Sequence, residues 1–187
     1  GTIPLLHGSQ GCATYMRRYL ISHFKEPVDI ASSNFSEESA IFGGSANLKQ
    51  AVENVVSQYS PDMVGIATTC LSETIGDDVP MILDSMDDYS NGRLKKTRLV
   101  HVATPSYSGT HMDGFHQGVK AVIEQCNPKP GKIKYKAKAK KKINLFPGML
   151  SNEDLRHLKE IFSDMQTCMT LVPDYSERLE GPSWVEY

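Results

Sequence analysis

The chain of 187 residues has no long apolar run, and no stretch reaches the roughly 18 consecutive apolar residues that a membrane-spanning helix needs. We therefore expect no membrane-spanning segment. The first residues, GTIPLLHGSQGC, have neither a basic start nor a long apolar stretch, so they do not resemble a signal peptide. Without a secretory route, we expect a cytoplasmic protein whose thiols stay reduced.

Neither sign of charge dominates the composition. Lys and Arg number 20 against 22 Asp and Glu, and hydrophobic residues make up 40% of the chain. Disordered chains combine low hydrophobicity with high net charge, so this composition excludes disorder. We expect a globular chain that is long enough to bury a sizeable core.

The basic residues are unevenly spread. Residues 129–142, KPGKIKYKAKAKKK, hold 8 of the 20 and no acidic residue. Such a run can attract a polyanion. Its Pro and Gly content and its single aromatic residue, Tyr135, instead favour a solvated connection, because nucleic-acid strands stack on interleaved aromatic side chains. We therefore predict no nucleic-acid partner.

Short apolar runs alternate with segments of helical period along the chain. We predict strands at residues 3–7, 27–32, 63–68, 99–103, 143–146 and 169–172, and helices at 12–24, 47–59, 79–86, 112–126 and after Ser151. This alternation is typical of an α/β fold with a mostly parallel sheet flanked by helices. We divide the chain into an α/β domain at 1–126, a Lys-rich connection at 127–142, and a further βαβ unit with a tail at 143–187.

Polar turns follow three of the predicted strands. Cys12 lies in the turn after the first strand, Cys70 in the turn after the strand at 63–68, and Ser106 in the turn after the strand at 99–103. In open parallel sheets, binding sites form outside the carboxyl ends of the strands. We therefore expect two thiols and a hydroxyl to converge on one edge of the sheet.

Other interpretations of these turns stay open on the residues alone. Gly8 to Gly11, at the start of a helix, could bind an anion through backbone N–H groups, although the nucleotide-binding patterns GxGxxG and GxxxxGK[ST] are absent. An isolated cysteine such as Cys70 is often a small buried hydrophobe. The spacing of 58 residues between Cys12 and Cys70 does not match a structural zinc site.

The other cysteines and the histidines are assigned no site. Cys126 ends a predicted helix and Cys168 begins a predicted strand, so both are expected to be structural. His101, within a strand, is expected to be a core histidine. The remaining histidines lie on helices or near turns, as caps or surface residues, and are His7, His23, His111, His116 and His157.

Four long motifs surround the polar turns: HGSQGCATYMRRYLISHFKEP at 7–27, SSNFSEESAIFGG at 32–44, TTCLSETIGDD at 68–78 and TPSYSGTHMDGF at 104–115. With INLFPG and LVPDYSERLEGPSW further on, they resemble the β subunit of nitrogenase component 1, the MoFe protein β chain or its vanadium-iron and iron-only relatives. The resemblance implies a Rossmann-like domain. The family's β chain has three such domains. We expect this sequence to correspond to the first of them and to begin after a further cysteine that the family carries upstream.

The resemblance implies an iron–sulfur cofactor, because the family holds an 8Fe-7S P-cluster between its α and β chains. By motif match, Cys12 would bridge the two halves of the cluster and Cys70 would be a terminal ligand on the β side. Ser106 would ligate iron when the cluster is oxidised. Thiolates suit iron–sulfur clusters and a hydroxyl is a harder ligand, in agreement with these roles. Because the other ligands lie elsewhere, we expect this chain alone to be inactive.

The resemblance also implies the partners and the reaction. The β chain pairs with an α chain in an α2β2 tetramer, and the iron protein docks over their interface. MgATP hydrolysis there drives electrons through the P-cluster to the metal cofactor of the α chain, where dinitrogen becomes ammonia. Phe42 matches a residue of the docking surface, and Glu26 matches a carboxylate that helps to bind a metal ion between β chains. The heterometal of the cofactor has no determinant in this chain.

A second hypothesis is a scaffold subunit for cofactor assembly from the same family, which binds a simpler four-iron cluster without turnover. Scaffold relatives keep HGSQGC but tend to lose the cysteine of the second turn. Cys70 is present here, which favours the catalytic β chain. The protochlorophyllide and chlorophyllide reductases of the family are not expected to contain both SSNFSEESAIFGG and TPSYSGTH.

Overall fold

The computed structural model describes residues 1–89, 93–126 and 142–176. The chain divides into two compact units, Gly1–Thr110 and His111–Tyr187. All but the last residue of the Lys-rich connection lies outside the described residues, and the predicted domain limits stay predictions. Among the helices described, none combines the length and hydrophobicity needed to cross a bilayer.

Strands and helices alternate in both units. The first unit contains β1 (Thr2–His7), α1 (Gln10–Phe24), β2 (Ala31–Ser32), α2 (Glu37–Phe42), α3 (Ser45–Tyr59), β3 (Met63–Thr68), α4 (Cys70–Ile75), α5 (Val79–Tyr89), a short 3-10 helix (Arg93–Lys96) and β4 (Arg98–Val102). The second unit contains α6 (His111–Cys126), β5 (Lys142–Leu145), α7 (Asn152–Asp164) and β6 (Cys168–Leu171).

The first unit is built on a four-stranded sheet in which neighbouring strands are parallel, in the order β2–β1–β3–β4. β1 and β3 occupy the middle and pair along their whole length, from Thr2 with Met63 to His7 with Thr68. β5 and β6 form a separate parallel pair in the second unit. The predicted α/β fold with a mostly parallel sheet is confirmed.

A hydrophobic core fixes the central strands of the first unit. Leu5 on β1 and both Val64 and Ile66 on β3 are fully buried. The helix residues in the same core are spaced so that they lie on one face of each helix. They are Leu48, Ala51, Val52 and Val55 on α3, and Val79, Ile82 and Met86 on α5. Full burial of one such large apolar side chain is worth about 1.5–3 kcal/mol. Packing in this core therefore holds α3 and α5 against the strands more firmly than their helix propensity alone could hold them in shape.

Two short helices, α2 and α4, were not predicted from the hydrophobic periodicity of the sequence. Each has six residues, too few for a helical period to be visible in the sequence. A serine hydroxyl accepts a hydrogen bond from a backbone N–H at the start of each helix, since Ser36 Oγ accepts from Ser39 N–H at 3.4 Å and Ser72 Oγ accepts from Thr69 N–H at 3.1 Å. The second strand is shorter than predicted, because only its last two residues, in β2, pair with β1.

The turns that follow β1 and β3 touch each other through their backbones. Thr69 N–H donates to His7 O at 3.0 Å. A Cβ on Gly8 would lie 1.9 Å from Thr69 Oγ1, so only glycine allows this approach. The two turns are therefore held side by side at the carboxyl edge of the sheet.

Gly8→Ala is expected to destabilise the protein by about 1–3 kcal/mol, because the added methyl group must displace Thr69 or separate the two turns. Gly65→Ala in β3 is the matched control, since no atom lies within 4 Å of the Cβ it would add. Its stability should be unchanged or slightly higher. Urea titration gives the free energies of unfolding, and equal effects of the two substitutions would contradict the close approach.

Candidate functional site

Three predicted site residues lie just past the carboxyl ends of neighbouring strands. Cys12 is in the first turn of α1, Cys70 is the first residue of α4, and Ser106 follows β4. Both cysteines are half-buried, and Ser106 is exposed. Because β1, β3 and β4 are parallel neighbours, all three residues lie toward one edge of the sheet.

The structure brings Cys70 and Ser106 into direct contact. Cys70 Sγ and Ser106 Oγ are 2.8 Å apart, and Ser106 N–H donates to Cys70 Sγ at 3.2 Å. The hydrogen bond from the hydroxyl, and then the one from the backbone amide, lower the pKa of the Cys70 thiol. These donors favour the thiolate, which is the form that binds a metal.

A second set of hydrogen bonds fixes the turn that carries Ser106. Thr104 N–H donates to Thr68 Oγ1 at 3.1 Å, and the Thr104 hydroxyl donates to Thr68 O at 2.9 Å. The Thr68 hydroxyl in turn donates to the Glu73 carboxylate. Sequence reasoning missed this pair of threonines, because nothing local marks two residues 36 positions apart as partners.

Cys12 lies in a different local setting. Ser9 is the N-cap of α1, and its Oγ lies 3.7 Å from Cys12 Sγ. The first turn of α1 contains no acidic residue, so the helix supplies no carboxylate of its own to neutralise its positive end. Such an end suits an anionic group, as a thiolate ligand would be.

The backbone N–H group of Gly8 already donates a hydrogen bond within the chain, so it is not available to bind an anion. Its N–H donates to Ser33 Oγ at 2.9 Å. Its lack of a side chain is explained by the contact with Thr69. The alternative of an anion bound by residues 8–11 gains no support from these contacts.

Large apolar side chains on α1, on α2 and beside Ser106 are open to solvent. Exposed fractions are 64% for Tyr15, 50% for Met16, 82% for Phe42 and 66% for Tyr107. Exposed apolar side chains indicate a surface that another protein covers where they form a contiguous patch.

Two further predicted residues occupy the ends of helices. Phe42 is the last residue of α2, and the half-buried Glu26 follows Lys25, which ends α1 in the left-handed conformation. Within residues 1–89, 93–126 and 142–176, no group of three or more His, Cys, Asp or Glu side chains is gathered closely enough to bind a metal ion.

His7 was expected to be a cap or a helix-surface residue, and this expectation is wrong. His7 ends β1 and is fully buried, with Nδ1 3.0 Å from Ser33 Oγ and Nε2 3.1 Å from Asp77 Oδ2. Burial lowers the pKa of His7 in spite of the Asp77 carboxylate. The available signal was its place at the end of an apolar run, where the side chains of a central strand are buried.

The other unassigned residues vary in exposure. Cys126 is buried, as expected of a structural cysteine, whereas Cys168 is exposed. His101 is half-buried on β4, and burial lowers its pKa. His111 and His116 lie exposed on α6, in agreement with a helix surface.

Similarity to known proteins extends over almost the whole chain. Residues 1–183 match the family model described as nitrogenase component 1 type oxidoreductase. The chain belongs to this family. Curated relatives named nitrogenase molybdenum-iron protein beta chain include that of Clostridium pasteurianum, 41% identical over 99% of this chain, and that of Methanothermobacter marburgensis, 36% identical over 96%. The chain spans 39% of the length of each of these two relatives.

Solved structures agree with this assignment to nitrogenase component 1. The structure described as nitrogenase Cp1 at pH 6.5 aligns with a TM-score of 0.81 and 39% identity, covering 100% of this chain and 39% of that one. Nitrogenase Cp1 at pH 5 aligns with a TM-score of 0.66 at 18% identity, covering 91% of this chain and 34% of that one, and supports the fold alone. The resemblance to the nitrogenase component 1 β subunit is confirmed.

Ser106→Ala is expected to raise the pKa of the Cys70 thiol toward its ordinary value, because the hydroxyl that lowers it most is removed. In the metal-free protein, the pH at which Cys70 alkylation by iodoacetamide reaches half its maximal rate should move upward. Alkylation of the exposed Cys168 is the internal control and should not change. An unaltered Cys70 profile would rule out Ser106 as the cause of the shift.

Proposed function

We propose that the chain is part of a nitrogenase component 1 β subunit that holds half of an 8Fe-7S P-cluster. In this role it relays electrons from the iron protein to the metal cofactor that reduces dinitrogen to ammonia. The observation that carries the proposal is the contact of Cys70 with Ser106, at 2.8 Å, on the turn beside the one that leads to Cys12. The Ser106 groups are hydrogen-bond donors and not a general base, which suits a metal ligand better than a nucleophile.

The three donors are proposed to have different roles. Thiolates are soft ligands that bind iron–sulfur clusters, so Cys12 would bridge to the α-chain half and Cys70 would be a terminal ligand. The harder Ser106 hydroxyl, already beside Cys70 Sγ, would ligate when oxidation raises the charge on iron. When bound, such a cluster supplies one-electron transfer between the iron protein and the metal cofactor.

The remaining ligands are proposed to come from an α chain and from an upstream cysteine of the full-length β chain. Tyr15 and Met16 support a partner here, because they follow Cys12 by one helical turn and are exposed. A partner seated against them would bury this apolar surface together with the cluster. We propose an α2β2 tetramer as the active assembly, and this chain alone is proposed to be inactive.

Phe42 is proposed to belong to the surface on which the iron protein docks and hydrolyses MgATP. Ile41 and Phe42 are 74% and 82% exposed, on a helix whose first turn contains Glu37 and Glu38. Aromatic side chains within a polar rim are typical of interaction hot spots. Glu26 is proposed to donate a carboxylate oxygen to a hard metal ion between two β chains.

A second candidate function is a cofactor-assembly scaffold that binds an iron–sulfur cluster without turnover. Cys70 is the residue that favours the β subunit, since scaffold relatives tend to lack it. Co-expression of the full-length chain with its α partner separates the two functions. An eight-iron cluster and ammonia formation support the β subunit, whereas a four-iron cluster without turnover supports the scaffold.

Substitution of the three donors in the full-length complex is expected to give three different results. Cys12→Ala should lose most of the bound iron and turnover, because it removes the bridging thiolate. Cys70→Ala should lose less iron, since a terminal position loses one bond that an external ligand can replace. Ser106→Ala should keep its iron and most turnover, and change only the spectrum and redox behaviour of the oxidised state.

The measurements for this series are iron content, ammonia formation and electron paramagnetic resonance of the oxidised complex. Cys168→Ala is the matched control, because this thiol is exposed in the second unit, and it should match the wild type. Loss of the cluster in Ser106→Ala, with Cys70→Ala unaffected, would reverse the roles assigned to these two residues.

Phe42→Ala is expected to raise the apparent KM for the iron protein by about tenfold, because truncation of a central aromatic residue commonly costs more than about 1 kcal/mol of binding. Iron content should not change. Tyr59→Ala is the control, since Tyr59 is also an exposed aromatic residue but ends α3. Ammonia formation at increasing iron-protein concentration gives the KM. A loss of iron at unchanged KM would remove Phe42 from the docking surface.

A further inference from the structure

A chain of hydrogen bonds runs from the cysteine-bearing turn after β1 to the segment after α2. Gly8 N–H donates to Ser33 Oγ at 2.9 Å, and Ser33 Oγ lies 3.0 Å from His7 Nδ1. His7 Nε2 lies 3.1 Å from Asp77 Oδ2. Gly44 N–H donates to both carboxylate oxygens of Asp77 at 3.0 Å. None of these five residues has a role in the proposed function so far.

The direction of each bond follows from the chemistry of Asp77. A carboxylate only accepts hydrogen bonds, so His7 Nε2 carries the proton and Nδ1 is an acceptor. Ser33 then donates its hydroxyl proton to Nδ1 and accepts from Gly8 N–H. Burial lowers the pKa of His7, which keeps the ring in the neutral form that this arrangement requires. Each donor of the chain therefore faces an acceptor.

The middle of the chain is closed to water. Exposed fractions are 0% for His7 and 4% for Ser33, and 8% for the Asp77 side chain. The Phe35 ring packs edge-on against His7, with 4.9 Å between the ring centroids. A buried polar group that loses its partner is costly because water cannot replace the bond, so each bond resists breaking.

The far end of the chain is held as closely as the near end. A Cβ on Gly44 would lie 2.2 Å from Phe35 Cζ and 2.7 Å from Asp77 Oδ2, so the backbone passes in contact with both side chains. Gly44 is also the N-cap residue of α3 and follows Phe42 by two positions. The Asp77 carboxylate therefore restrains the backbone two residues after Phe42.

We propose that His7 is a positioning residue that couples the surface at Phe42 to the turn that leads to Cys12. Because the bonds join Gly44 to Gly8 without a gap, a displacement of α2 by a docked protein is transmitted to the start of α1. The identity of that protein rests on the proposed function, whereas the connection between the two segments does not. If His7 had only a structural role, it would stabilise the core beneath both segments, but a displacement of one segment would not move the other.

Hydrogen exchange in the full-length β chain, assembled with its α partner, measures the transmission. Exchange is followed in residues 36–44 and 7–12, with and without the iron protein held in its docked state by a non-hydrolysable ATP analogue. His7→Phe keeps a ring against Phe35 but breaks both polar bonds of the histidine. His7→Gln is the conservative variant, because its amide supplies one donor and one acceptor. Ser33→Ala breaks the chain with the loss of a single atom.

Ile66→Val is the matched control for stability. It removes one methyl group from a fully buried side chain of β3 that takes no part in the hydrogen-bond chain, and such a change lowers stability modestly. Thermal unfolding of every complex shows whether each variant is folded. If His7→Phe fails to assemble, Ser33→Ala decides the outcome in its place.

In the wild type, docking should slow exchange in residues 36–44 directly and in residues 7–12 by transmission, each by about fivefold or more. His7→Phe and Ser33→Ala should keep the direct effect at saturating iron protein and lose the transmitted one. Their apparent KM for the iron protein should rise by about threefold or more at unchanged iron content. His7→Gln should recover at least part of the transmitted effect, and Ile66→Val should keep all of it.

A transmitted effect that survives in both His7→Phe and Ser33→Ala would overturn the coupling, as would an equal loss in Ile66→Val. No effect in residues 7–12 of the wild type, with residues 36–44 protected, would overturn it as well. These results would leave the proposed function intact. A wild-type complex that binds no iron–sulfur cluster, or does not bind the iron protein at all, would instead refute the proposed function.

Discussion

The parallel pairing of β1 with β3 is the constraint on which the rest of the first unit depends. The two strands end at the same level, with His7 opposite Thr68. Because Gly8 places no side chain between the turns that follow, α1 and α4 begin side by side, each with a cysteine in its first turn. If either strand shifted by one residue, its buried side chain, Leu5 on β1 or Ile66 on β3, would turn to the opposite face of the sheet. The core packing that fixes the register therefore also fixes where the two thiols lie.

Buried polar bonds orient the turns, which apolar packing alone does not do. Hydrophobic burial is non-directional, whereas a hydrogen bond fixes both a distance and an angle. The bonds of Thr68 with Thr104 align the turn after β4, and the bonds of His7 with Asp77 align the segment between α2 and α3. These contacts lie at the buried carboxyl ends of the strands, directly before the turns that contain Cys12, Cys70 and Ser106.

Local patterns in the sequence were sufficient for the α/β fold, for β3 residue by residue, and for the placement of Cys12, Cys70 and Ser106 after their strands. Each of these depends on periodicity or on position relative to a strand. The burial of His7 could have been predicted from its place at the end of an apolar run, but its bond to Asp77 could not, because the two residues are 70 positions apart. The contact of Cys70 with Ser106 joins residues 36 apart, so the sequence could indicate a shared edge but not a bond.

The order of strands in the sheet has a consequence for the three proposed ligands. The thiols follow the two inner strands, while Ser106 follows β4, which has a neighbour on one side only in the described sheet. An outer strand yields more easily than an inner one, because fewer bonds restrain it. In the proposed role, the Ser106 hydroxyl, which would bind iron only in the oxidised state, is therefore carried by the strand that moves more easily. The two proposed thiolate ligands would be held by the more firmly restrained inner strands.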